Sequence, residues 1–326
     1  MKLKKPKRRS APTSAHTVAT AIDRLAQLRS EVDALPNPRV VAFVAGKGGS
    51  GKTTCSANLA ATLAASGYRV LLIDLDIQAN QAVLFGLTSG TEGLDDGKGF
   101  TAAVVTEDAA HVRPIRDVRP GIDLVAAGPH TRKLSDYLVG ISADERRSTV
   151  RSVVEHLAGG GYDLVVIDNR PSGEMLGEVA LLASDFLVVP SRTDAMSWDQ
   201  GLDTIARLYS DSGAAARLLG VVIFATQRGA VKIQADTRAE IDKKLDGIAP
   251  VFTTMIYSSE KGAKDQSEAG LTADEYASAA AELTRPFWED PKAQRFASNS
   301  SGTADDHASL TVEILEEMLK PAAVQV

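Results

Sequence analysis

Residues Gly46-Lys47-Gly48-Gly49-Ser50-Gly51-Lys52-Thr53-Thr54 set lysines and hydroxyls among four glycines. Glycines let such a loop wrap until its backbone N–H groups converge on phosphate oxygens, with the positive end of a following helix behind them. The spacing G-x-x-x-x-G-K-[ST] then gives each polar residue a task. Lys52 reaches the β- and γ-phosphates, and the Thr53 hydroxyl coordinates Mg²⁺. A glycine-rich turn with two solvated lysines would explain neither this spacing nor what flanks it. Arg39 to Ala45 is apolar and partly β-branched, as a buried strand is, and Ser56 to Ala64 is a good helix former. Strand, loop and helix are the context the motif requires.

Carboxylates follow in the positions such a site needs. Arg69-Val70-Leu71-Leu72-Ile73 is an apolar strand that delivers Asp74 and Asp76 at its C-terminal end, and Tyr162-Asp163-Leu164-Val165-Val166-Ile167 delivers Asp168. Ligands of an open α/β sheet sit at these ends. Either segment alone says little, because Asp commonly ends strands in turns. The two segments in order behind the loop say much more.

With its extra Lys47, the loop K-G-G-S-G-K-T resembles the deviant Walker A motif of the ParA/MinD superfamily, and V-L-L-I-D-x-D-x-Q-x-N from Val70 to Asn80 is similar to that family's second segment. The resemblance covers roughly Arg39 to Leu271 and is closest to the ParA branch. It implies an α/β, three-layer P-loop NTPase fold with a mainly parallel sheet flanked by helices on both faces. It also implies an ATP- and Mg²⁺-dependent ATPase forming a sandwich homodimer, in which Lys47 of each subunit contacts phosphate in the other. The whole loop Gly46 to Thr54 binds nucleotide, Lys47, Lys52 and Asp76 are catalytic, and Asp76 orients the attacking water. Thr53, Asp74 and Asp168 serve the metal. Phosphoryl transfer depends on positioning more than on covalent participation, which suits these roles.

The chain departs from the family twice. Where many ParA proteins read D-x-P-P, it has Asp168-Asn169-Arg170-Pro171-Ser172, and Arg170 either contacts phosphate or pairs with a neighbouring carboxylate. The segment Tyr257 to Lys264 lacks the proline that the family often carries near adenine.

An apolar fraction of 44% and a charged fraction of 24% suit a globular protein with an ordinary core. The single cysteine, Cys55, excludes an internal disulfide or a C-x-x-C site made by one chain, and its helical position suits a small buried residue. No run of about 18 uninterrupted apolar residues occurs, and the basic start is followed by polar residues, so a cytoplasmic protein is expected.

Residues 1–38 read as a basic tail, Met1 to Arg9, and an amphipathic helix carrying Val18, Ile22, Leu25, Leu28, Val32 and Leu35 as one stripe. That stripe buries against either the protein's own sheet or a partner's helix. Residues 39–296 form the ATPase domain, and 297–326 a linker, Ala297 to Asp306, with an acidic C-terminal helix. Strands are expected at 40–45, 70–73, 122–126, 164–167, 186–190, 219–224 and 251–256, with helices at 143–157, 174–182, 198–210, 235–245 and 309–319. Gly86 to Gly99 reads as a loop. Strand and helix alternate, as in a parallel sheet with both faces covered.

The ParA resemblance further implies ATP-dependent, nonspecific DNA binding, a nucleoid location in the ATP state and a small ParB-like activating partner, in partition of plasmid, chromosome or similar DNA. A net charge of −6 opposes indiscriminate DNA affinity, yet Arg228, Lys232, Arg238, Lys243, Lys244, Lys261 and Lys264 cluster late in the core. Duplicated across a dimer, such a patch gains by counterion release. Interspersed Asp236, Glu240, Asp242 and Asp246 offer the other reading, a salt-bridged solvated face. A membrane role of the MinD type needs a basic amphipathic C-terminal helix, whereas Leu310 to Leu319 is acidic. Positioning of a non-DNA cargo, or a conjugation adaptor, is the alternative with the same nucleotide site.

Overall fold

The computed structural model describes residues 14–171, 174–194, 198–199, 201–203, 206, 216–257, 260–282 and 300–321, with backbone only at 14–16 and 260–263. Its centre is a seven-stranded sheet. In chain order the strands are β1 (Val40–Phe43), β2 (Val70–Asp74), β3 (Ile115–Arg119), β4 (Ile122–Val125), β5 (Leu164–Asp168), β6 (Phe186–Ser191) and β7 (Arg217–Ile223). They lie in the order β3-β4-β2-β5-β1-β6-β7, all parallel except the edge strand β3. The helices are α1 (Ser14–Asp33), α2 (Lys52–Ala65), α3 (Asn80–Leu84), α4 (Lys98–Thr106), α5 (Thr131–Val139), α6 (Ala143–Ala158), α7 (Met175–Leu182), α8 (Val231–Leu245), α9 (Glu260–Ala269), α10 (Ala273–Ala281) and α11 (Ser300–Leu319).

Side chains alternate across a strand, so each strand feeds two cores. Val40, Ala42, Leu71, Ile73, Val165 and Ile167 point to the layer of α4, α5, α6, α7 and α8. Val41, Phe43, Val70, Leu72, Leu164 and Val166 point to the layer of α1, α2 and α11. Both faces are covered, which explains why the strands read as continuous apolar runs instead of alternating ones.

The amphipathic stripe of α1 finds its partner within the chain. Leu25, Leu28 and Val32 are buried together with Leu310, Ile314, Leu315 and Met318 of α11. Each such side chain contributes about 1.5–3 kcal/mol when fully buried. Arg24 adds an ion pair to Glu316 at 2.8 Å, and the Tyr68 hydroxyl donates to the Leu25 carbonyl at 2.8 Å. Cys55 is buried, as its position suggests, and burial pushes its thiol pKa up, leaving it inert.

Several expectations need correction. α11 begins at Ser300, so residues 300–306 are helix and not linker, while 297–299 lie outside the described residues. The polar run Ser300 to Asp306 suggests a linker, but Thr303, Ala304 and His307 turn inward and are buried. Residues 251–256 form only two isolated bridges, Val251 to Val221 of β7 and Ile256 to Phe224 just beyond it. α8 starts at Val231, before the expected 235, and β3, α3, α4, α5, α9 and α10 have no counterpart among the expected elements. Of the helix expected over 198–210, residues 198–199, 201–203 and 206 are helical and the remainder lies outside the described residues.

Candidate nucleotide site

The loop between β1 and α2 forms the floor of a cleft of about 1330 Å³. Gly48, Gly49, Gly51, Lys52, Thr53 and Thr54 line it, with Asp76 and Asn80 beyond β2 on one wall and Phe224 to Arg228 and Tyr257 on the other. Gly51 has φ 101°, and a Cβ there would sit 2.6 Å from the Phe224 ring. Only glycine allows this backbone to turn and to pass so close to the end of β7. α2 starts immediately afterwards, with no side-chain hydrogen bond at its cap, so its first N–H groups are available to an anion. Ser50 is buried and its hydroxyl has no partner among the described residues. Gly46 and Lys47 are half-buried, and the Lys47 carbonyl accepts from the Lys52 ammonium at 3.5 Å.

Beneath the loop, β2 and β5 run in register so that Asp74 lies beside Asp168, both buried. Burial, followed by the charge of Asp168, raises the Asp74 pKa well above the carboxylate range. Burial pushes Asp168 up to about 6 against hydrogen bonds from Thr53 and Gln81 and the charge of Lys52. Lys52 is lowered by burial, an effect opposed by Asp168, Asp76 and Glu174. Two carboxylates crowded in low dielectric with a single ammonium are the environment a dication relieves. With the Thr53 hydroxyl bonded to Asp168, the residues present fit Mg²⁺. Among the described residues no group of three or more His, Cys, Asp or Glu could hold a metal, so a metal here draws most ligands from phosphate and water.

One organising residue escapes the motif. Gln81, fully buried at the start of α3, donates through Nε2 to the Thr53 carbonyl at 3.1 Å, the Ser56 hydroxyl at 2.7 Å and Asp168 Oδ2 at 3.0 Å. Its own N–H donates to Asp74 Oδ2 at 3.2 Å. It thus ties β2, β5 and α2 into one unit. In the sequence Gln81 directly follows the Asn80 that ends the second motif, but a glutamine opening a short helix carries no signal of burial. Asn169 acts similarly, donating to the Phe43 carbonyl at 2.7 Å and pinning β5 to β1.

Asp76 is half-buried at the cleft edge, where Oδ1 accepts from the Gln78 N–H at 3.0 Å. Of the two roles left open for Arg170, the structure shows the carboxylate pairing, with Glu174 and with Asp76. Arg192 and Thr226 to Arg228 also line the cleft, and the Arg192 Nε donates to the Gly49 carbonyl at 3.0 Å.

The cations expected to meet DNA are dispersed. Arg228 sits on the cleft rim, 4.4 Å over the Tyr257 ring and 3.5 Å from Asp306. Arg238 donates to the carbonyls of Val251 and Phe252, Lys244 pairs with Asp199 and Asp203, and Lys264 pairs with Glu268. Lys232 and Lys243 are exposed on α8, and the Lys261 side chain lies outside the described residues. No described helix is long and apolar enough to cross a membrane.

Residues 38–211 match a sequence family described as an AAA domain. The chromosome partitioning protein ParA of Caulobacter vibrioides is 34% identical over 226 residues, covering 66% of this chain and 81% of that protein. The chain belongs to the ParA/MinD family of P-loop ATPases. The family's chromosome-partitioning ATPase Soj of Thermus thermophilus is 31% identical over 226 residues, covering 67% of this chain and 80% of its own length. Among solved structures, a complex of a Cyanothece McdA variant with ATP superposes with a TM-score of 0.61 at 19% identity, covering 80% of this chain and 97% of that one. The α/β P-loop fold expected from the motif is therefore present.

Proposed function

We propose that this ParA-family chain binds ATP with Mg²⁺ in the cleft and closes into a sandwich homodimer. It hydrolyses ATP slowly under the control of a small ParB-like partner, and in its ATP state holds DNA without sequence preference to drive partition of a DNA cargo. The observation that carries this reading is that Lys52 and Asp76 line one cleft with the buried pair Asp74 and Asp168 side by side beneath its loop, and the partitioning role named for the ParA and Soj relatives supports it.

The roles follow from position. The loop N–H groups and Lys52 hold the phosphates, while Thr53, Asp74 and Asp168 would hold Mg²⁺, which when bound offsets charge on the β- and γ-phosphates. Asp76, at the cleft edge, orients water toward the γ-phosphate. Lys47, half-buried on the loop, serves the partner subunit's nucleotide. Phe224 to Arg228 and Tyr257 face the end of the cleft left for the base.

Lys232 and Lys243 on α8 are the cations best placed for DNA, with Asp236 and Glu240 between them. The internal pairing of Arg228, Arg238, Lys244 and Lys264 favours the second reading, positioning of a non-DNA cargo by the same ATP switch. Titrating the full chain with labelled nonspecific duplex separates the two. DNA binding is expected only with ATP, and log affinity should fall against log salt with a slope of roughly −4 to −7 for about four to eight phosphates neutralised. Lys232→Glu with Lys243→Glu should flatten that slope while ATP binding is kept. Absence of DNA affinity at low salt with ATP would leave the non-DNA cargo.

A further inference from the structure

Arg170, which interrupts the family's usual sequence after the β5 aspartate, lies between two carboxylates. Its Nε donates to Glu174 Oε2 at 2.5 Å and its Nη2 to Glu174 Oε1 at 3.2 Å, while Nη1 lies 3.7 Å from Asp76 Oδ1. Glu174 is the exposed N-cap residue of α7, four residues on from Arg170. A guanidinium is a rigid planar fork, so fixing two of its nitrogens on Glu174 fixes the direction of the third. The third faces Asp76. The Arg170 side chain is only 26% exposed, and its charge helps lower the Lys52 pKa after the larger effect of burial.

The chemistry gives this bridge a purpose. Asp76 has to hold a water against a phosphate that is itself anionic, and like charges around one water repel. A fixed cation behind the carboxylate offsets that repulsion and restrains the rotamer, which the single Gln78 N–H does only in part.

We propose that Arg170, braced by Glu174, is a positioning residue for ATP hydrolysis that acts through Asp76. It rests on the nucleotide reading above. In the step it serves, the water oxygen bonds to the γ-phosphorus, the bond from that phosphorus to the β,γ-bridging oxygen breaks with its electrons leaving on ADP, and the water proton passes to the released phosphate. Arg170 keeps its proton throughout.

The test uses the full chain, with phosphate release for kcat and titration of a fluorescent ATP analogue for affinity. Arg170→Ala should lower kcat about tenfold with ATP affinity changed less than about twofold, the signature of an interaction used in the transition state alone. Arg170→Lys, which keeps the charge without the fork, should recover part of the loss, and Glu174→Gln should show a smaller loss in the same direction. On an Asp76→Ala background, Arg170→Ala should add nothing. Faster turnover by Arg170→Ala would make the bridge a restraint, and an equal loss of ATP affinity would make Arg170 a phosphate ligand. Unchanged kcat, or a loss that multiplies that of Asp76→Ala, would also overturn the proposal. Normal turnover by Asp76→Ala alone would sink the water-orienting role of Asp76 and this proposal with it, whereas a dead Asp76→Ala beside a normal Arg170→Ala removes only the proposal.

Discussion

The two ends of the cleft are built differently. At the phosphate end, Lys52, Asp74, Gln81 and Asp168 are all buried and cross-linked, with Gln81 alone joining Thr53, Ser56 and Asp168. At the opposite rim, Gln227 and Arg228 are exposed, and Arg228 rests on Tyr257 and Asp306, contributed by separate segments. Phosphate is the same in every nucleotide and demands fixed donors, so short contiguous motifs suffice and rigidity is gained from burial. The rim is assembled from side chains distant in sequence, each making an exposed contact worth little alone.

That contrast predicts unequal mutational costs. Lys52→Ala should abolish ATP binding, because among the described residues nothing else buried at the phosphate end carries a positive charge into the cleft. Arg228→Ala should weaken binding by no more than about tenfold, the scale of roughly 1 kcal/mol expected of an exposed cation–π contact. Nucleotide titration measures both, and similar losses for the two would dissolve the distinction between the ends.

A smaller effect concerns stability. Gln81→Leu removes a buried donor from Asp168 Oδ2 and from the Ser56 hydroxyl, which should cost about 1–3 kcal/mol in urea denaturation. Gln227→Leu on the exposed rim should stay within about 0.5 kcal/mol. Equal stabilities would mean that the network beneath the loop is slack.

A pH-dependent effect lies outside the cleft, in α11. His307 is buried with Nε2 unpartnered among the described residues, and burial pushes its pKa down to about 4. Its unfolded value is near 6.5, so the unfolded chain takes up the proton first as pH falls, and stability is lost progressively from about pH 6.5 toward 4. Neighbouring Asp306, pushed up to about 6 by burial, acts oppositely, since the folded state is protonated first and gains stability between about pH 6 and 3.8. The two partly cancel in the parent protein. His307→Asn removes the destabilising half, so its stability relative to the parent should rise between pH 7 and pH 5 in urea denaturation. A pH-independent difference would show that His307 does not titrate with unfolding.

How far the sequence foretells the molecule follows the same division. The strand, loop and helix around Gly46 to Thr54 are legible because the spacing of the motif demands that context, and the apolar strands ending at Asp74 and Asp168 are legible because both faces of the sheet are covered. Gln81 and Asn169 are not, since a polar residue's burial depends on what packs over it. The start of α11 is misread for the converse reason, its polar first turns being buried by α1 and α10 and not by any property of their own composition. β3 is hidden because Ile115-Arg116-Asp117-Val118-Arg119 is a half-exposed edge strand held by Asp123, which accepts from the Asp117 N–H at 2.8 Å and the Tyr162 hydroxyl at 2.6 Å. The cation cluster on α8 is misleading in its density, because sequence proximity does not reveal that Arg238 faces backbone carbonyls and Lys244 faces Asp199 and Asp203.

The central claim is that Lys47, the extra lysine of the loop, makes this site half of a shared one. Light scattering of the full chain with a non-hydrolysable ATP analogue tests it most directly, comparing the parent with Lys47→Ala. The account predicts that the parent doubles in mass with the analogue, while Lys47→Ala still binds nucleotide and stays a monomer. A Lys47→Ala protein that dimerises as fully as the parent would contradict it and return Lys47 to a solvated loop lysine.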